Sequence, residues 1–211
     1  MKFMMIVMNT MNVEKGKNLM VIGPPLVGKD LFVKEILKNE VKKGSGGIYV
    51  TTKDTAEEII KEFEGIDIKI IDCVSKIAIP DVSDDTNIKR VSSPIDLTGI
   101  SVGISRFLEE YIKSGKDSVV IVFDSLSNLL MYSNLQAVFR FLHVLTTRIR
   151  VCGAKAFYIV EEGMHDDRTV ITLKQIFDGV IEVKEEDNKK YYRIITPKEK
   201  TDWIEFLLGV S

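Results

Sequence analysis

The sequence predicts an α/β fold, a twisted and mostly parallel sheet between helices with an antiparallel extension at the C-terminal end. Three observations predict it. Strand and helix signals alternate along most of the chain, the pattern of β–α–β units. Ser118–Asp124, SVVIVFD, holds five consecutive apolar residues, which marks a strand covered on both faces. Near the end, Gly179–Glu185, Tyr191–Pro197 and Trp203–Leu208 succeed one another as an antiparallel run, with Glu186–Asp187–Asn188 as the turn between the first two.

The most informative stretch is Asn18–Leu37, NLMVIGPPLVGKDLFVKEIL. It reads as a short apolar strand over Asn18–Ile22, a glycine-bounded loop over Gly23–Lys29, and an amphipathic helix. The spacing G-x-x-x-x-G-K falls on Gly23, Gly28 and Lys29, the pattern of a phosphate-binding loop. Glycines let the backbone curl so that several N–H groups face one cavity. Lys29 supplies a point charge for the β- and γ-phosphates, and the helix start adds its positive dipole end. The candidate binding stretch is Gly23, Pro24, Pro25, Leu26, Val27, Gly28, Lys29, Asp30 and Leu31. A glycine turn with a solvated Lys29 is the plain alternative. The residue after the lysine is ordinarily Ser or Thr, whose hydroxyl holds Mg²⁺; here it is Asp30, which alternatively caps the first helix of a vestigial site.

The other elements follow in order. Helix Asp30–Lys43 places Phe32, Val33, Ile36 and Leu37 on one face, and Gly44–Gly47 ends it. Ile48–Thr52 is a β-branched strand. Thr55 opens a helix to Glu64 that directs Ile59, Ile60 and Phe63 inward. Strand Ile68–Cys73 leads into a long polar connection, Val74–Pro94, of a length that is usually functional or mobile. Helix Leu97–Lys113 is capped by Asp96 and carries Ile100, Ile104, Phe107, Leu108 and Tyr111 at helical spacing. The strand SVVIVFD ends on Asp124, where open α/β sheets bind ligands. There an aspartate orients the Mg²⁺ water shell of a phosphate-loop ATPase; alternatively Asp124 caps the helix Ser125–Met131. A buried helix spans Leu135–Val151, with His143 packed or interfacial. Strand Ala154–Val160 ends on Glu161 and Glu162, and Thr172–Phe177 continues a short helix. His165 with Asp166 and Asp167 is a weak metal candidate, since a lone histidine lacks the partners zinc needs.

Composition sets outer bounds. The chain has 211 residues, 45% hydrophobic and 28% charged, and is expected to form one domain over residues 1–211. A net charge of −2 gives no basic field for nucleic acid. No apolar run reaches the ~18 residues of a membrane span. Met1–Met8 is apolar but short, and reads as a strand or docking segment. Cys73 and Cys152 are expected to be buried free thiols in a reducing compartment, so the expected location is the cytoplasm.

Taken together, GPPLVGKD, IYVTTKDTAEEII, VVIVFDSLSNLLMY, FDGVIEV and YYRIITPKEK resemble the RecA superfamily of phosphate-loop ATPases, and within it the archaeal KaiC-like branch. The resemblance covers nearly the whole chain. It implies a RecA-like fold with ATP and Mg²⁺ at the carboxyl edge of the sheet, and assembly into homo-oligomers with nucleotide between subunits. It also implies a glutamate pair, including the water-activating base, where this chain has Lys53 and Asp54. A lysine is no base unless its pKa falls far, and Asp54 is one methylene shorter than glutamate. Lys198 and Lys200 match the K-x-K pair that reaches a neighbouring subunit's γ-phosphate in the superfamily; a lysine-rich surface hairpin is the alternative.

The expectation is therefore an ATP-binding protein with a departed loop, slow or absent hydrolysis and a regulatory role. Asp30 and Asp124 hold the metal and Asp54 is the weak base. Two alternatives stand beside it: a non-hydrolysing, nucleotide-gated interaction module, and an accessory factor in DNA repair of the recombinase-paralogue kind.

Overall fold

The computed structural model describes residues 13–207. Along the chain these form β1 (Asn18–Gly23), α1 (Lys29–Lys42), β2 (Gly46–Thr51), α2 (Ala56–Glu62), β3 (Lys69–Asp72), α3 (Ser75–Ala78), β4 (Ile88–Arg90) and α4 (Leu97–Lys113). Then come β5 (Val119–Phe123), α5 (Leu126–Tyr132), α6 (Leu135–Val151), β6 (Lys155–Glu161), α7 (Asp167–Lys174), β7 (Gly179–Glu186), β8 (Lys189–Ile195) and β9 (Ile204–Phe206). The described strands make one nine-stranded sheet in the order β4-β3-β2-β5-β6-β1-β7-β8-β9. Pairing is parallel from β4 across to β7 and antiparallel from β7 through β9. This is the α/β architecture with a C-terminal antiparallel extension that the sequence predicts.

Alternation along the strands builds two cores. Met20 and Ile22 of β1, with Val119, Ile121 and Phe123 of β5, face α4, α5, α6 and α7. Leu19, Val21, Val120 and Val122 face α1 and α2. Both faces of β1 and β5 are thus buried, and period-2 geometry sends successive side chains to opposite layers. The extension joins the second core: the Phe32 ring of α1 lies 5.1 Å from Tyr192 and 4.8 Å from Phe206. The helix that follows the glycine loop is therefore held from the sheet beneath it and from β8 and β9 beside it.

Several expectations need correction. Gly46 and Gly47 do not end α1 but open β2. A Cβ at Gly46 would lie 2.6 Å from the Tyr111 ring, and one at Gly47 2.7 Å from Val41, so close helix–sheet packing explains both glycines. The Val74–Pro94 connection is not structureless: it contains α3 and β4, and β4 extends the sheet beside β3. Ile60 is exposed, whereas Ile59 and Phe63 are buried as expected. His143 is exposed on the solvent side of α6 and is not packed in the core. Cys73 is buried but Cys152, at the end of α6, is exposed. The last short helix begins at Asp167, capped by Asp166, whose carboxylate accepts from Thr169 N at 2.7 Å. Met1–Met8 lies outside the described residues, as does Leu208. Helix α4 has the expected bounds and cap, with Asp96 accepting from Gly99 N at 2.8 Å.

Candidate functional site

The glycine loop leaves β1 at the carboxyl edge of the sheet and feeds α1. Pro24, Pro25 and Leu26 are exposed at its apex, and Leu26, 99% exposed, has φ 62°. A branched apolar residue with positive φ is strained, and here it is also wholly in water. Val27 turns back into the core. Gly28 precedes α1 with φ 90° and ψ 23°, a conformation that favours glycine. No side chain caps α1, so its first-turn amides are left for a ligand or water. Asp30 occupies that first turn, half-buried, and it is not the helix cap. Leu31 is exposed in the same turn.

Lys29 is 3% exposed, and an ammonium so buried needs an anion. Its Nζ donates to Pro24 O at 2.7 Å and to Glu161 Oε2 at 2.7 Å. Glu161 ends β6, directly beside Gly23 in the parallel register. Its own backbone N–H donates to Ser127 Oγ of α5 at 2.9 Å, and the next N–H, of Glu162, donates to Gly23 O at 3.0 Å. From the other side Lys190 of β8 donates to Val27 O at 2.9 Å and pairs with Glu185 at 2.6 Å.

Asp124 follows β5, two strands from β1 on the same edge. It is 2% exposed, and Ser125, not Asp124, caps α5. Its Oδ1 accepts from Thr52 N at 2.9 Å and Thr52 Oγ1 at 2.8 Å. Asn128 donates in turn to Thr52 O at 3.3 Å and Thr52 Oγ1 at 3.2 Å. Asp124 Oδ2 is buried with no hydrogen-bond partner. Burial pushes this carboxyl above the usual carboxylate range, opposed by the charge of Lys53 and the Thr52 hydrogen bonds. One oxygen is thus fixed and the other is left over, an arrangement that suits a hard cation or its water.

Lys53 is exposed and Asp54 half-buried, in the turn after β2. Thr51 Oγ1 donates to Asp54 O at 2.7 Å and accepts from Asp54 N at 3.0 Å, which fixes the backbone of that turn. Among the described residues no three His, Cys, Asp or Glu side chains gather as a metal cage, and the His165–Asp166–Asp167 turn is no exception. Lys198 and Lys200 are exposed in the β8–β9 connection. Val180, near the start of β7, pairs with Ile195, and Ile195 bridges to Lys200. Both lysines therefore lie at the amino edge of the sheet, opposite their own glycine loop.

The structure brings Gly23–Leu31, Asp124 and the Lys53–Asp54 turn to one edge, and leaves Lys198 and Lys200 at the other. Sequence reasoning missed Glu161, Lys190, Thr52 and Ser127. Glu161 carried a usable signal, an acidic residue at the carboxyl end of a buried strand. Lys190 carried none, because hairpin register alone delivers it.

No curated protein matches the chain in sequence. Among solved structures, a KaiC-like protein from the hyperthermophilic archaeon Pyrococcus horikoshii superimposes with a TM-score of 0.67 at 19% identity, covering 92% of this chain and 87% of that one. The flagellar accessory protein FlaH from Methanocaldococcus jannaschii gives a TM-score of 0.61 at 15% identity, covering 88% and 80%. The fold is RecA-like, with a nine-stranded, mostly parallel sheet, as the sequence resemblance implies. Residues 16–183 match the Family of unknown function (DUF7504), and the chain belongs to that family.

Proposed function

We propose that this chain binds ATP with Mg²⁺ at Gly23–Leu31, hydrolyses it slowly or not at all, and uses nucleotide occupancy as a regulatory state. The observation that carries the proposal is the unpartnered, buried Oδ2 of Asp124 on the same sheet edge as the uncapped start of α1. A buried oxygen without a partner costs about 1–3 kcal/mol, and a magnesium ion or its bound water would remove that cost. Mg²⁺ is ordinarily held by one or two carboxylates and the substrate's phosphates, so a three-carboxylate cage is not required.

In this reading Gly28 and Lys29 cradle the phosphates, and Asp30 and Asp124 hold Mg²⁺ directly or through water. Mg²⁺ neutralises phosphate charge when bound. Asp30 replaces a neutral hydroxyl with a carboxylate, which repels phosphate when the metal is absent and makes binding strongly Mg²⁺-dependent. Asp54 is the candidate base, shorter than a glutamate, and sub-ångström placement errors can cost about 100-fold in rate. The solvent-facing Lys53 and the backbone-tied Asp54 favour a second reading, a non-hydrolysing module whose bound nucleotide sets a protein interface. Lys198 and Lys200 lie too far round the sheet to serve their own loop. Any contact they make with nucleotide is in trans, within a homo-oligomer, where cations stabilise phosphoryl-transfer charge. We further propose one domain and a cytoplasmic setting; among the described residues no helix is long and apolar enough to cross a membrane.

Calorimetric titration with ATP, with and without Mg²⁺, followed by phosphate release on the same sample, tests the proposal. Binding lost in Lys29→Ala supports it, and turnover separates the slow ATPase from the gated module. Equal binding by wild type and Lys29→Ala contradicts it.

A further inference from the structure

We propose that Glu161 is a built-in counter-anion that holds Lys29 in the empty protein and competes with the nucleotide's phosphates for it. The inference rests on the reading of Gly23–Leu31 as a phosphate loop and adds a residue that sets its affinity.

Lys29 is almost fully buried, and a buried ammonium left without an anion is strongly destabilising. In a loop that waits for phosphate, the chain has to supply charge or water in the meantime. Here it supplies charge, the Glu161 carboxylate 2.7 Å from Nζ. The Pro24 carbonyl takes a second ammonium proton at 2.7 Å. The lysine head is therefore bound to the protein at the atom that would engage the β- and γ-phosphates.

The contact is also built to open. The backbone of the Glu161–Glu162 pair is pinned, by Ser127 Oγ on one side and Gly23 O on the other. Release therefore needs only a rotation of the Glu161 side chain. That side chain is 21% exposed against 3% for Lys29, so the freed carboxylate has water to turn into while the lysine stays in place. Phosphate takes over Lys29, and Glu161 rehydrates at the mouth of the site. A carboxylate that stayed would repel the incoming phosphates. Like Asp30, Glu161 therefore biases the site toward emptiness unless a strongly anionic ligand with its metal is present.

Glu161→Gln keeps shape and removes charge, and Glu161→Ala removes both. Mg²⁺-ATP titration of wild type, both variants and Lys29→Ala, paired with thermal melts of empty and loaded protein, tests the proposal. Both Glu161 variants are expected to bind about fivefold more tightly than wild type, the upper end for one partly exposed charge pair. They should also melt lower when empty and gain more on loading. Affinity equal to or weaker than wild type in Glu161→Gln, with Lys29→Ala still defective, overturns the counter-anion role and leaves the phosphate-loop reading standing. Absence of binding in wild type and both Glu161 variants overturns both.

Discussion

Asp30 and Asp124 are the two carboxylates on which the proposed metal chemistry turns. Asp30 brings negative charge to a loop shaped for anions, and Asp124 keeps a buried oxygen without a partner. Each makes a separable prediction. Asp30→Ser should strengthen ATP binding measured in EDTA and change Mg²⁺-ATP binding by less than about threefold, because repulsion dominates only when metal is absent. Equal Mg²⁺ dependence in wild type and Asp30→Ser would remove Asp30 from the account. Asp124→Asn should lower the apparent Mg²⁺ affinity of the ATP complex by about 10- to 100-fold, the usual cost of disturbing a metal's supporting shell; a magnesium titration at fixed ATP reads it. Lys29, Asp30 and Asp124 were legible in the sequence because each sits at fixed spacing from a local pattern. Glu161 showed only as an acidic strand end and Lys190 not at all, because both reach the loop through tertiary register. Glu161 arrives by the β1–β6 pairing and Lys190 by the β7–β8 hairpin.

At the level of elements, hydrophobic period did most of the work. Helices α4 and α6 were readable to the residue, since apolar side chains recur at helical spacing, and Asp96 caps α4 as expected. Strand β4 was hidden because three residues, IKR, carry no period, and it is recruited by pairing with β3 and by Arg90. That guanidinium bonds Ser83 O and Glu57 and lies 3.8 Å from Asp72. The glycines before Ile48 misled for a different reason: they serve packing, not a turn. Gly47→Ala should destabilise the fold by about 1–3 kcal/mol through overpacking against Val41 and Ile68; an unchanged denaturant midpoint would contradict the tight contact. Tyr111, on α4, donates to Gly47 O at 3.0 Å, and burial pushes its hydroxyl up to about 12. A folded value above the ordinary one means that the native state holds this proton longer. Its contribution is therefore complete below about pH 10 and is lost as pH climbs toward about 12. Tyr111→Phe should cost about 1 kcal/mol at neutral pH and show a shallower alkaline loss of stability than wild type in melts across that window.

For the molecule as a whole, the sheet sets what one chain can do alone. The glycine loop, Asp124 and the Lys53–Asp54 turn share the carboxyl edge, and Lys198 and Lys200 occupy the amino edge. A complete hydrolytic site of the kind the KaiC-like resemblance implies would therefore need a second copy. Light scattering should show a larger species with Mg²⁺-ATP than without. The Lys198→Ala/Lys200→Ala double variant should bind ATP normally while losing whatever turnover the wild type has. Unchanged turnover in that variant would assign the two lysines to the surface hairpin alone. Such cross-chain chemistry is where sequence reading stops, since a motif identifies residue types but not which copy they serve.

Whether Gly23–Leu31 is a working Mg²⁺-dependent ATP site is decided by calorimetry of wild type and Lys29→Ala with ATP, each with Mg²⁺ and with EDTA. Wild type should bind saturably with Mg²⁺ and much more weakly in EDTA, and Lys29→Ala should not bind in either condition. Wild-type and Lys29→Ala titrations that superimpose, or no heat from wild type at millimolar Mg²⁺-ATP, would contradict it.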